Sequence, residues 1–131
     1  MSIRKILIVD DEQDIVELLD DFLIQKGYDT AKAYTKREAS ERIDKFKPGI
    51  ILLDIKLPDG DGIVFLKEIK QKYPNIEVIM ITGLADKEIA LEALKNGAAD
   101  YICKPIDLNY LSMSVLSKVI SSYREETQTS S

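Results

Sequence analysis

The stretch Ile50–Gly62, IILLDIKLPDGDG, limits the fold more than any other part of the chain. Ile50, Ile51, Leu52 and Leu53 follow one another without polar alternation. That is the pattern of a strand covered on both faces, as in a parallel sheet. The run ends in one carboxylate, Asp54, and Pro58, Asp59, Gly60, Asp61 and Gly62 then supply turn chemistry ahead of the next helix. Asp54 therefore stands where a buried strand reaches the surface, the edge at which open α/β sheets bind their ligands. On this stretch alone a helix-capping or turn acid would read the same way.

The same grammar recurs along the chain. Lys5–Val9 is a short apolar run that ends in Asp10 and Asp11. Ile15, Leu18, Leu19, Phe22 and Leu23 then recur at helical spacing up to Gly27. Tyr28–Tyr34 reads as a more polar strand of the kind found near a sheet edge. Thr35–Phe46 carries Ala39, Ile43 and Phe46 on one helical face, with Thr35 as cap, Glu38 as its capping-box partner and Pro48 as the stop. After the Asp54 loop, Ile63, Phe65, Leu66 and Ile69 mark a helix over Ile63–Tyr73. Glu77–Ile81 is a fourth strand, ending at Thr82 and Gly83. Asp86–Asn96 is a helix with Ile89, Leu91 and Leu94 as its apolar residues, closed by Gly97. Tyr101–Cys103 is a fifth strand, stopping at Lys104 and Pro105, and Asp107–Tyr123 is the last helix. Five strand–helix alternations predict a doubly wound α/β domain with a parallel sheet over residues 1–123. Residues 124–131 read as a polar tail or the start of a linker.

A chain of 131 residues is long enough to bury a core without disulfides or a structural metal. Its net charge of −5 argues against non-specific nucleic-acid binding. No apolar stretch approaches membrane-spanning length, and the first residues lack the layout of a signal peptide. The single cysteine, Cys103, has no internal disulfide partner, which suits a cytoplasmic location. It is expected to be a small core residue. The absence of histidine excludes Ser-His-Asp and Cys-His centres, histidine-ligated zinc and a phosphohistidine of the chain's own.

In a doubly wound sheet the strand ends converge on one edge. That edge collects Asp10 and Asp11 from the first strand, Asp54 from the third, Thr82 from the fourth and Lys104 from the fifth. Three neighbouring carboxylates repel one another unless a cation intervenes. Mg²⁺ answers that need, because it takes oxygen ligands and leaves positions for phosphate oxygens. A carboxylate can also be the nucleophile in phosphoryl transfer. The charge on the transferred group then calls for a metal, a lysine such as Lys104 and a hydroxyl donor such as Thr82.

Four motifs in order make the resemblance specific: ILIVDDE around Asp10 and Asp11, LLDIKLPDGDG around Asp54, MITG around Thr82, and GAADYICKP from Gly97 to Pro105. Together they resemble the response-regulator receiver domains of two-component phosphorelay signalling, of the chemotaxis-regulator type. The match runs from Ile6 to about Ile120. The resemblance implies a flavodoxin-like (βα)5 fold with strand order 2-1-3-4-5. It implies that Asp54 is the phosphoacceptor, that Asp10, Asp11 and Asp54 hold Mg²⁺ with the Lys56 backbone carbonyl, and that Thr82 and Lys104 contact the phosphoryl group. It further implies a cis Lys104–Pro105 bond and a switch that couples Thr82 to Tyr101. That switch would reshape the face made by helix four, strand five and helix five. The resemblance also places Lys56 and Leu84 at positions that in similar proteins influence how fast the aspartyl phosphate hydrolyses, and Leu84 offers no group to orient water. A long-lived phosphoryl state is therefore expected.

The implied partners are a sensor histidine kinase or phosphotransfer protein and a downstream target or effector domain. Direct nucleic-acid or membrane binding is not expected. On the last helix Leu108, Leu111, Val115 and Val119 suit the sheet, while Ile106, Tyr110, Met113 and Ile120 form an outward stripe. That stripe is either an extended core face or a partner or homodimer surface. The alternative to a phosphorylated switch is a pseudo-receiver, an interaction module with the fold alone; the full set of Asp10, Asp11, Asp54, Thr82 and Lys104 argues against it. An aspartyl-phosphate phosphatase resembling haloacid dehalogenases would want an acid where Lys56 stands. The first strand is followed by Asp-Asp-Glu-Gln and not by a glycine-rich nucleotide loop. Beyond its own phosphorylation and dephosphorylation, no enzymatic activity is expected.

Overall fold

The computed structural model describes residues 2–83 and 86–129. Five strands, β1 (Ser2–Val9), β2 (Asp29–Ala33), β3 (Pro48–Leu53), β4 (Glu77–Thr82) and β5 (Asp100–Cys103), alternate with five helices. These are α1 (Gln13–Gln25), α2 (Lys36–Phe46), α3 (Gly62–Lys72), α4 (Lys87–Lys95) and α5 (Leu108–Thr129). All strand pairs in the main sheet are parallel, in the order β2-β1-β3-β4-β5. This is the flavodoxin-like doubly wound arrangement. A two-residue hairpin, Lys56–Leu57 against Gly60–Asp61, punctuates the β3–α3 loop.

The apolar runs explain why the strands lie inside. Every residue of β3 is buried. Leu7, Val9, Ile51, Leu53, Val78 and Met80 pack on one side of the sheet with Ala39, Ile43, Leu66, Ile69 and Ala93 from α2, α3 and α4. Their alternating neighbours Ile6, Ile8, Ile50, Leu52, Ile79 and Ile81 pack on the other side with Val16, Leu19, Leu23, Leu111 and Val115 from α1 and α5. The two-residue period of the strands thus feeds two cores, one under each helix layer.

The helix ends follow their sequence signals. Thr35 Oγ1 accepts the Glu38 amide at 3.0 Å, while Glu38 Oε2 accepts the Tyr34 amide at 3.3 Å, one residue before the cap. Gly27 and Gly97 follow α1 and α4 with φ of 92° and 98°. The Lys104–Pro105 bond is cis.

Some expected faces are rotated. Leu18 on α1 and Leu91 and Leu94 on α4 are exposed, whereas Val16 and Ala93 are buried. Each helix turns its narrower face to the sheet, so a large apolar residue one step off that face is left outside. Cys103 is exposed and not a core residue. It ends β5, an edge strand with a neighbour on one side only, where side-chain cover runs out. The backbone of α5 stays helical through Thr129, so helix continues into the stretch read as a polar tail. No described helix is long and apolar enough to cross a membrane.

Candidate functional site: an acidic pocket at the strand ends

Asp10 and Asp54 directly follow β1 and β3, and Thr82 ends β4. Parallel pairing brings these ends together: the Asp54 amide donates to the Val9 carbonyl at 3.0 Å and the Asp10 amide to the Ala33 carbonyl at 3.1 Å. The Lys104 amide donates to the Thr82 carbonyl at 2.8 Å, so β5 delivers its lysine beside the end of β4. Asp10, Asp54 and Thr82 are 3%, 4% and 1% exposed, which makes them buried polar groups at the rim of an apolar core.

One ammonium organises the pocket. Lys104 Nζ lies 2.8 Å from Asp10 Oδ2, 2.9 Å from Glu12 Oε1 and 3.2 Å from Asp54 Oδ2. Asp10 Oδ1 accepts the Glu12 amide at 3.0 Å, and Asp54 Oδ1 accepts the Lys56 amide at 3.4 Å. Burial pushes the Asp10 carboxyl above the usual carboxylate range, against the hydrogen bonds from Lys104 and the Glu12 amide that favour its charge. Burial alone would depress Lys104, but hydrogen bonds to Asp10 and Glu12 and the charges of Asp10 and Asp54 hold it above the ordinary lysine value.

Single oxygens of Asp10, Glu12 and Asp54 all lie within 4.8 Å of one another. Three carboxylates face one ammonium, which leaves an excess of negative charge on an all-oxygen donor set. That chemistry fits a hard divalent cation. Asp11, the neighbouring acid of the same turn, is exposed and outside that converging group. Glu12, the residue ahead of α1 and not among the residues expected at the site, joins Asp10 and Asp54 there. The hydrogen bond that its backbone amide donates to Asp10 fixes the turn here, and its carboxylate joins the pocket through Lys104, a partner that local sequence does not reveal.

The β3–α3 loop closes the pocket from the side. The Gly62 amide donates to the Ile55 carbonyl at 2.6 Å. A Cβ on Gly62 would lie 2.2 Å from the Asp54 carbonyl oxygen and 2.6 Å from the Ile55 Cα, so backbone fills the space a side chain needs. Asp61 caps α3 by accepting the Ile63 amide at 2.7 Å. Tyr101 is half-buried on β5, opposite Met80, and burial raises its phenol. Asp100 ties β5 to α5: Ser114 Oγ donates to it at 2.7 Å and the Tyr110 hydroxyl at 3.0 Å. Tyr110, Met113, Leu116, Ile120 and Tyr123 are exposed along α5. Tyr110, Met113 and Ile120 of the outward stripe therefore face away from the core, with Leu116 beside them, whereas Ile106, ahead of α5, is half-buried against it. Leu84 lies outside the described residues.

Fold and site together define a small doubly wound α/β domain with a lysine-bridged acidic pocket at its strand ends, whose donor set fits a divalent cation. A family model described as "Response regulator receiver domain" matches residues 6–116. The chain belongs to the response regulator receiver domain family. It is 42% identical over 111 residues to the response regulator protein PilR of Pseudomonas aeruginosa, covering 85% of this chain and 25% of that one. It is 36% identical over 123 residues to the transcriptional regulatory protein KdpE of Staphylococcus aureus, covering 92% and 53%. The chain thus spans a quarter to about half the length of these relatives. A CheY-like receiver domain protein of Methanospirillum hungatei JF-1 superposes with a TM-score of 0.88 at 33% identity, covering 95% of this chain and 99% of that one.

Proposed function

We propose that this chain is a phosphorylation-dependent switch in which Asp54 accepts a phosphoryl group from a histidine kinase or phosphotransfer protein. The observation that carries the reading is the Lys104 ammonium held between two buried carboxylates, 3.2 Å from Asp54 and 2.8 Å from Asp10. A cation fixed there is preorganised for the charge that a phosphoryl group brings.

An Asp54 carboxylate oxygen attacks phosphorus and forms the new P–O bond. The donor's P–N bond, or P–O bond for an acyl phosphate, breaks with its electron pair leaving on the donor. Lys104 neutralises the equatorial oxygens, and the Thr82 hydroxyl donates to one of them. Asp10 and Asp54, with the Lys56 carbonyl and a carboxylate of the turn after β1, Asp11 or the converging Glu12, would hold a divalent ion such as Mg²⁺, which would supply charge neutralisation for the transferred group. Engagement of Thr82 biases Tyr101 on the neighbouring strand, and with it the α4–β5–α5 face. The exposed residues Leu91, Leu94, Tyr110, Met113 and Leu116 give that face apolar surface for a downstream target, an effector domain or a second copy of the chain. A cytoplasmic site of action accords with such a donor.

The test is to load the protein with acetyl phosphate and Mg²⁺, trap the acyl phosphate with borohydride, and map the modified residue. Modification at Asp54 is expected; modification elsewhere overturns the assignment.

A further inference from the structure

We infer that Asp59 is a positioning residue for the acidic pocket, acting by latching the loop that carries Lys56 onto the N-terminus of α2. The inference rests on the reading of the pocket as a divalent-ion and phosphoryl site, and it names a residue outside that pocket as the one that sets its geometry.

Asp59 lies in the loop between the two short strands of the hairpin. Its two carboxylate oxygens accept the first amides of α2, Oδ1 from Lys36 at 2.7 Å and Oδ2 from Arg37 at 3.0 Å. Thr35 takes the Glu38 amide, so three consecutive amides at this helix start are satisfied, two of them by a residue more than twenty positions away. The side chain of Lys36 completes the latch. Its ammonium lies 3.1 Å from Glu68 and 5.6 Å from the Phe65 ring centroid, both on α3. Its stem runs so close to Gly60 that a Cβ there would sit 3.1 Å from Lys36 Cδ.

The latch reaches the pocket through a short rigid path. Gly60 pairs with Leu57 and Asp61 with Lys56, so the residue after Asp59 is hydrogen-bonded into the strand that contains Lys56. The Lys56 amide in turn donates to Asp54. The loop is pinned at its base by the 2.6 Å Gly62–Ile55 bond and at its tip by Asp59. Without the tip, the hairpin hangs from one end, and the peptide around Lys56 loses its fixed direction beside Asp54.

Two alanine variants separate positioning from simple helix capping. Asp59→Ala and Thr35→Ala each remove a cap from the start of α2, but only Asp59 reaches the loop. Mg²⁺ affinity is measured by titration calorimetry, alongside the Mg²⁺ dependence of phosphoryl uptake from acetyl phosphate. Asp59→Ala is expected to weaken Mg²⁺ binding by about tenfold, the low end of what loss of outer-shell support costs a metal site. Uptake at saturating Mg²⁺ is expected to be largely retained, Thr35→Ala to leave the Mg²⁺ midpoint unchanged, and Asp59→Asn, which keeps an acceptor oxygen, to recover part of the loss. Equal Mg²⁺ affinity in Asp59→Ala and wild type, or an equal loss in Thr35→Ala, overturns the inference. A wild-type protein that binds Mg²⁺ but takes no phosphoryl group contradicts the proposed function and leaves the calorimetric comparison intact.

Discussion

Lys104 and Asp54, fifty residues apart in sequence, meet with Nζ 3.2 Å from Oδ2 where β5 and β3 end. Neither is surrounded by water: the lysine side chain is 12% exposed and the aspartate side chain 5%. Asp10 shares the same ammonium, 2.8 Å from its Oδ2. Removing the cation would leave two buried carboxylates facing each other, whereas adding a second cation would relieve the remaining negative charge.

Lys104→Met is therefore expected to destabilise the metal-free protein by about 3 kcal/mol, the cost of breaking a buried pair from one side. Mg²⁺ is expected to restore part of that loss. Urea denaturation with and without Mg²⁺ reads both. Phosphoryl uptake by this variant is expected to fall about a hundredfold, as when one preorganised donor is deleted from a charge-stabilising site.

Gly62→Ala tests the loop by sterics alone. A Cβ 2.2 Å from the Asp54 carbonyl oxygen forces the backbone behind the phosphoacceptor to shift. A stability loss of about 1–3 kcal/mol, typical of overpacking, is expected together with impaired phosphoryl uptake. Thermal unfolding and intact mass check the two halves of the prediction.

The tie between β5 and α5 gives a pH dependence with a definite sign. The hydrogen bond from Tyr110 to Asp100, followed by the Asp100 charge, raises the Tyr110 phenol above its ordinary value. A group whose folded value is raised contributes stability below its unfolded value, about 10 for tyrosine, and loses that contribution as pH climbs through the folded value. Wild-type stability is expected to drop more steeply than that of Tyr110→Phe in this alkaline window. Chemical denaturation over that range measures the difference.

The phosphoryl state is expected to be long-lived, because Leu84 supplies no group to orient an attacking water. Loss of the adduct over time, followed by mass after the donor is removed, checks this; a half-life of seconds counts against it. Leu84→Gln is expected to shorten the lifetime, since an amide can position water.

How far the sequence reveals these features depends on which forces act locally. The buried run Ile50–Leu53 and the polar residues that end each apolar run, Asp10, Asp54, Thr82 and Lys104, are legible because burial and turn chemistry are written in consecutive residues. The role of Glu12 is not, because it depends on Lys104 reaching across from β5. Asp59 is hidden for a similar reason: among Pro and Gly it looks like any turn acid, and its partners are the amides of α2. Leu18, Leu91 and Leu94 fit helical periodicity, yet the rotation of each helix on the sheet decides which side of the stripe is covered. Cys103 has the chemistry of a core residue but ends an edge strand.

The most direct test of the switch is the intact mass of the protein after incubation with acetyl phosphate, with and without Mg²⁺, for wild type and Asp54→Ala. A gain of one phosphoryl group that requires Mg²⁺ and disappears in Asp54→Ala is the predicted result. No gain under any condition would contradict it and favour an interaction module that keeps the fold without the chemistry, and a gain that persists in Asp54→Ala would contradict Asp54 as the phosphoacceptor.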